Sequence, residues 1–274
     1  MKIGIIGCGS MGRMFLERFI ENKAADQVDL FVSDMVYERI TDLAEVYPQI
    51  NICKSNIDTA KNAEALFICL KPFDIKTALL EIKESINENC IVVSLNGSVL
   101  FSQLETIYPK RKVFKIMPSV MAEVNQSITL ISSNDYVNND DKSKLNKLLE
   151  CFGKVIEIPE VEMGIGSELT SCMPGFISAI FKVITDEAEK HTSLSKEQII
   201  DMVTGTLFGT AKLLLEKNIA FENLINRVAT KGGITEEGVK IINEKLPAIV
   251  TEIFAKTLEK RNLTTDKAQA LFDS

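Results

Sequence analysis

The stretch Gly7-Cys8-Gly9-Ser10-Met11-Gly12 places three glycines at the spacing GxGxxG. That spacing has a chemical use only if a strand leads into it and a helix leads out. Lys2–Ile6 reads as the strand, and Arg13 to about Glu21 as the helix. Each glycine then has its own task. Gly7 permits the tight turn, Gly9 lets backbone approach a pyrophosphate, and Gly12 lets the helix lie close to the strand. The N–H groups and positive dipole end at the helix start attract the phosphates. A dinucleotide held by Gly7, Cys8, Gly9, Ser10, Met11 and Gly12 is the expectation. Asp34 closes the next β-type run, 22 residues after Gly12. An acid there accepts from a ribose 2′-hydroxyl and repels a 2′-phosphate, which favours NAD. Arg39 follows and could reach a phosphate instead, and Asp34 could equally cap the next helix. The cofactor is therefore read as NADP or NAD.

Other chemistry is sparse. The single histidine, His191, lies in the polar stretch Glu-Lys-His-Thr, where it reads as a solvated helix end. No Ser–His–Asp or Cys–His hydrolase arrangement can be argued from this one histidine. The six cysteines show no CxxC pair, so neither a zinc site nor a disulfide framework is expected, and most sit in apolar runs as small hydrophobes. Glu236-Glu237 reads as a dipole-favoured first helical turn rather than a catalytic dyad.

The elements that position the glycine loop follow from periodicity. Short β-type runs occur at Lys2–Ile6, Val28–Ser33, Ile50–Cys53, Ala65–Leu70, Cys90–Leu95, Val113–Met117, Ile128–Ile131 and Val155–Ile158. Several are continuous Ile/Val/Leu/Phe runs, the pattern of strands buried on both faces of a parallel sheet. Helical patterns alternate with them, so residues 1–158 are expected to form an α/β doubly wound Rossmann domain. Asp135–Asp141 reads as a polar loop leading into a helix. After Pro159 the strand signals stop. Phe176, Ile177, Ile180, Phe181, Ile184 and Ala188 keep a helical period, as do Ile199, Ile200, Val203, Leu207, Ala211, Leu214 and Leu215. A third helix is expected from Pro247 to about Arg261, with proline in its first turn. Residues 159–274 are therefore read as an all-α domain, of the kind that packs against the ligand-binding edge of an open sheet or against a partner subunit. The chain has 274 residues, 46% hydrophobic and 25% charged, with a net charge of −7 and no Lys/Arg cluster. That balance argues against nucleic acid or anionic membrane as partner. No run reaches the ~20 apolar residues of a membrane span, and the N-terminus does not read as a signal peptide. A soluble, cytoplasmic protein acting on a small molecule is expected.

The sequence also resembles the pyrroline-5-carboxylate reductase family along nearly its whole length. The likeness runs from Ile3–Gly12, through Leu70-Lys71-Pro72, Val92-Val93-Ser94 and Met117-Pro118, to Pro174-Gly175-Phe176 and Gly232-Gly233-Ile234-Thr235. The resemblance implies reduction of a cyclic imino acid, pyrroline-5-carboxylate to proline, and a homodimer or higher homo-oligomer built through the helical domain. It implies that Asn56 lies near the cofactor ribose, that the backbone of Leu70-Lys71-Pro72 borders the cofactor, and that Asn96 belongs with them. It implies that Gly232, Gly233, Ile234 and Thr235 hold the substrate carboxylate and ring nitrogen. Thr235 is the candidate catalytic hydrogen bonder, unless it only starts a helix. Ser119, Ser171 and Cys172 are candidate pocket residues, with Cys172 alternatively a buried helix residue. The sequence departs from the family at Ser119-Val120-Met121, at Ser171-Cys172-Met173, at Asn96-Gly97-Ser98 and at Lys231 with Ile234. At Pro118-Ser119, Ser171-Cys172-Met173-Pro174 and Lys231-Gly232-Gly233-Ile234-Thr235 it is similar to the late-competence ComER-type subgroup. Two alternatives stay open: a reductase of another small carboxylic acid on the same scaffold, and a non-catalytic dinucleotide-binding regulatory paralogue.

Overall fold

The computed structural model describes residues 1–273. Eight strands form one sheet: β1 (Ile3–Ile6), β2 (Leu30–Ser33), β3 (Asn51–Ile52), β4 (Ala65–Ile68), β5 (Ile91–Ser94), β6 (Val113–Met117), β7 (Ser127–Ser133) and β8 (Gly153–Glu157). Their order is β3-β2-β1-β4-β5-β6-β7-β8. The first six are parallel, β7 runs antiparallel to β6, and β8 is parallel to β7. This is the doubly wound Rossmann order with two further strands at one edge. All eight expected runs are strands, with ends moved by a few residues.

The continuous apolar runs have the expected cause. Alternate residues of one strand serve two different cores. Ile3, Ile5, Phe67, Val93 and Phe114 join one cluster, while Ile6, Leu66, Ile68, Val92 and Val113 join the other. Each face is covered by helices: α1 (Ser10–Glu21), α2 (Glu38–Val46), α3 (Asn56–Asn62), α4 (Pro72–Ile82), α5 (Phe101–Ile107) and α6 (Asn139–Leu149). On the first face Phe15 and Phe19 of α1 meet Phe67 and Phe152 with ring centroids 4.9–5.6 Å apart, so α1 is anchored to the sheet directly behind the glycine loop. The polar run before α6 ends at Asn138, whose side chain accepts the Asp141 N–H at 2.9 Å as an N-terminal cap.

Residues after β8 are helical: α7 (Met163–Ser167), a π turn (Glu168–Cys172), α8 (Met173–Ala188), α9 (Lys196–Glu216), α10 (Phe221–Val228) and α11 (Ile234–Asp273). The helix expected to start at Pro247 is corrected here, because Pro247 lies inside α11. An interior proline removes one intrahelical bond and crowds the carbonyl four residues back. That carbonyl belongs to Asn243, and residues 241–249 are all exposed, so water can satisfy it. The backbone contacts divide the chain into two compact units, Met1–Met173 with the segment from Leu258, and Pro174–Thr257. In the second unit only Thr185 and Ile199 are buried. No helix among the described residues is long and apolar enough to cross a membrane.

Candidate active site

The chain leaves β1 toward β2 on one side and returns to β4 on the other. At that switch point the carboxyl ends of β1, β2 and β4 face a crevice, the place where open α/β sheets bind ligands. A cavity of about 790 Å³ occupies it. Gly7, Gly9, Ser10, Met11, Asp34, Asn56, Leu70 and Lys71 line this cavity together.

The three glycines differ in what surrounds them. Gly7 has φ +92°, a conformation that L side chains rarely adopt, and its N–H donates to the Ser33 carbonyl at 2.9 Å. A Cβ on Gly12 would stand 1.9 Å from the Gly7 carbonyl oxygen, so α1 touches the β1 turn backbone to backbone. A Cβ on Gly9 would meet no atom within 4 Å. The space in front of Gly9 is room for a ligand, which is what a pyrophosphate cradle requires. The first helical bond of α1 runs from the Arg13 N–H to the Gly9 carbonyl at 3.0 Å. The N–H groups of Ser10, Met11 and Gly12 precede it and have no carbonyl within the helix.

Cys8 does not line the cavity. Its thiol is buried and pushed up to about 12 by burial and then by Asp34, so it is no nucleophile near neutral pH. Its N–H donates to Asp34 Oδ2 at 2.6 Å, while Asp34 Oδ1 accepts the Val36 N–H at 2.8 Å. Asp34 lines the cavity and also closes the turn before α2, whose N-terminal capping position is taken by Tyr37. Arg39 Nη1 lies 3.7 Å from Asp34 Oδ1. Asn56 opens α3, its neighbour Ser55 capping that helix through a bond from the Asp58 N–H at 3.1 Å. The Asn56 amide is fixed at both ends. Its Oδ1 accepts from Ser33 Oγ at 3.0 Å and its Nδ2 donates to Glu81 Oε2 at 2.9 Å. Lys71 precedes α4 and Pro72 begins it, so the rigid φ of proline sets the direction of the Leu70-Lys71 backbone along the cavity. Asp74, Thr77 and Glu81 also line the cavity and were not anticipated. Their i, i+3, i+7 spacing on one face of α4 was the available signal.

Asn96 is not among the residues that line this cavity. Its side chain accepts the Ser98 N–H at 2.9 Å and shapes the loop after β5. Ser119 is buried, caps the turn Val120–Val124 and donates its N–H to Ser127 Oγ at 3.1 Å. Ser171 Oγ donates to the Pro118 carbonyl at 2.7 Å, joining the π turn to the loop after β6. Cys172 is half-buried, with its thiol raised by burial and then by Glu168. Glu168 is 1% exposed and accepts from Arg261 Nη2 at 3.0 Å. Its second oxygen and Arg261 Nε are buried without partners.

Gly232 and Gly233 lie in the second unit. Gly232 has φ +76°, its N–H donates to Glu236 Oε2 at 2.7 Å, and the Gly233 N–H donates to the Thr230 carbonyl at 2.8 Å. Ile234 begins α11, and Thr235 is exposed in its first turn with Glu236 and Glu237. His191 is 74% exposed beside Glu187, at the helix end where it was expected. A second depression, over α6 between Asn139 and Glu150, contains none of the expected site residues.

The halves of the chain match different family models. Residues 160–263 match pyrroline-5-carboxylate reductase dimerisation, and residues 2–97 match NADP oxidoreductase coenzyme F420-dependent. Pyrroline-5-carboxylate reductase 3 of Bacillus subtilis is 33% identical, covering 97% of each chain. ComE operon protein 4 of the same organism is 30% identical over 94% of each. The solved pyrroline-5-carboxylate reductase of Coxiella burnetii superposes with a TM-score of 0.84 over 98% of each chain, at 24% identity. A dinucleotide crevice with an open Gly9 cradle, followed by a helical half that matches the family's dimerisation region, thus accompanies one-third identity over nearly the full length, and the chain belongs to the pyrroline-5-carboxylate reductase family.

Proposed function

We infer that the chain is an NAD(P)H-dependent reductase that converts pyrroline-5-carboxylate, a cyclic imino acid, to proline. The observation that carries this reading is the open space before Gly9 at the switch point of the sheet, in a chain of this family. The N–H groups at the start of α1 bind the pyrophosphate, Asp34 and Asn56 lie on the ribose side, and the Leu70-Lys71-Pro72 backbone runs along the cofactor. Asn96 completes this set through the loop after β5. When bound, the reduced nicotinamide supplies the hydride that the imine carbon accepts. A protonated iminium is already electrophilic, so the protein's work is positioning and a grip on the carboxylate rather than strong acid catalysis. The grip falls to the loop Gly232-Gly233-Ile234 and the first-turn N–H groups of α11, where an anion is favoured. Thr235 donates its hydroxyl hydrogen bond at the ring nitrogen, and Ser119, Ser171 and Cys172 shape the pocket wall.

The helical segment 159–274 serves substrate binding and assembly, and residues 1–158 serve the dinucleotide. The bare apolar faces of the second unit are covered by another copy of the same chain. The test is oxidation of NADH and NADPH by purified protein with pyrroline-5-carboxylate. Turnover of at least about 1 s⁻¹ is expected. Tight nucleotide binding without turnover would overturn the reading. It would favour a different small acid or a regulatory role, to which the ComE operon relative and the changed Ser171-Cys172-Met173 stretch point.

A further inference from the structure

Asp34, just past the end of β2, is held firmly in place. Its side chain is 6% exposed, and both oxygens are engaged, by the Cys8 N–H at 2.6 Å and the Val36 N–H at 2.8 Å. The carboxylate cannot turn away from an arriving phosphate without leaving those N–H groups unpaired. A carboxylate offers about four acceptor sites, so it can still accept a ribose hydroxyl. Of the residues that follow, Met35 and Val36 carry no donor side chain for a 2′-phosphate, and Tyr37 carries only an uncharged hydroxyl. Met35 is 95% exposed, and Val36 and Tyr37 come next. The nearest cation, Arg39, lies 3.7 Å from Asp34 Oδ1 and so is already drawn to that acid. A second carboxylate, Glu81, reaches the same side of the cavity through Asn56 at 2.9 Å. Around the whole cavity Asp34, Asp74 and Glu81 face only Arg39 and Lys71.

We propose that Asp34 makes this chain selective for NAD(H) over NADP(H), by accepting the ribose 2′-hydroxyl and excluding a 2′-phosphate. The proposal rests on the reductase reading only in requiring a dinucleotide in this cavity. It is tested by calorimetric titration of the full-length protein with ADP-ribose and with its 2′-phosphorylated form, two fragments that carry no nicotinamide. The unphosphorylated fragment is expected to bind at least about tenfold more tightly. In Asp34→Ser the two affinities should come within about twofold of each other. Asp34→Asn, which removes the charge and keeps one acceptor oxygen, should also narrow the gap and serves if the serine variant does not fold. Equal or tighter binding of the 2′-phosphorylated fragment by the unmodified protein would overturn the proposal. So would an unchanged ratio in both folded variants. Absence of pyrroline-5-carboxylate turnover with the fragment preference intact would sink the substrate and leave the proposal standing. Binding of neither fragment would overturn both.

Discussion

Gly9 and Gly12 sit in one loop, yet a side chain on each meets a different fate. Gly9 has φ −68° and ψ −167°, a conformation open to any residue, and a Cβ there touches nothing. Gly9→Val should therefore fold with an unchanged melting temperature. Its nucleotide affinity should fall by about a hundredfold or more, about 2.8 kcal/mol, because the added methyls occupy the pyrophosphate's place. Gly12→Ala should do the reverse in order of cause. Its Cβ would overlap the Gly7 carbonyl oxygen, so the fold should lose at least the ~1–3 kcal/mol typical of overpacking, read as a lowered urea midpoint. Equal melting temperatures for the two variants would contradict the division of labour in the loop. These roles were legible in the sequence because each follows from backbone geometry at fixed spacing. The clamp on Asn56 was not legible, since Ser33 and Glu81 lie 23 and 25 residues away and only the folded crevice brings them to one amide. Asn96 shows a second limit. Only the resemblance put it with the cofactor residues, and the bond by which its side chain accepts the Ser98 N–H and closes its own turn has no signal in the sequence.

Between β8 and α8 the helix widens into the π turn Glu168–Cys172, and one ion pair secures it. Glu168 is buried and holds Arg261, which arrives from the far end of α11, and Ser171 ties the same turn to Pro118. π turns often mark functional positions. Removing one partner of a buried pair strands the other, at a typical cost of about 3–5 kcal/mol. Glu168→Leu should lose about that much in urea unfolding, while Glu168→Leu combined with Arg261→Met should recover at least half of it. A double variant no more stable than the single one would show that the turn depends on charge rather than on packing. The strands were readable from sequence because both faces of the sheet are apolar, and burial on two sides leaves an uninterrupted signal. Their ends were less readable where polar residues turn inward. β7 begins at Ser127, where the buried Ser127 and Thr129 hydroxyls bond each other at 3.1 Å, and runs on to Ser133, which pairs with Phe114 of β6. Pro247 misled for a related reason. Proline at a first turn and proline inside an exposed helix present the same local pattern, and only the exposure of residues 241–249 separates them.

Helices of the second unit carry large apolar side chains to the surface. Val183 of α8 is 67% exposed, Phe208 and Leu215 of α9 are 70% and 82% exposed, and Ile241 of α11 is 58% exposed. A helix normally buries an apolar stripe against a neighbour, and large exposed apolar surface is characteristic of interaction sites. A unit with only Thr185 and Ile199 buried has too little interior of its own to hold four helices together. The same residues fall within the segment that matches the family's dimerisation region. In the proposed assembly a second copy of the chain supplies the missing core, and the stability of this unit is tied to association. Light scattering across micromolar concentrations should give at least twice the chain mass. The melting temperature should rise with protein concentration. Phe208→Asp combined with Leu215→Asp should weaken the assembly and expose hydrophobic surface that binds an apolar dye, while Gly9, Asp34 and Asn56 remain folded in their own unit. A monomer at every concentration, with no dye binding, would mean that the exposed faces are not an interface between copies.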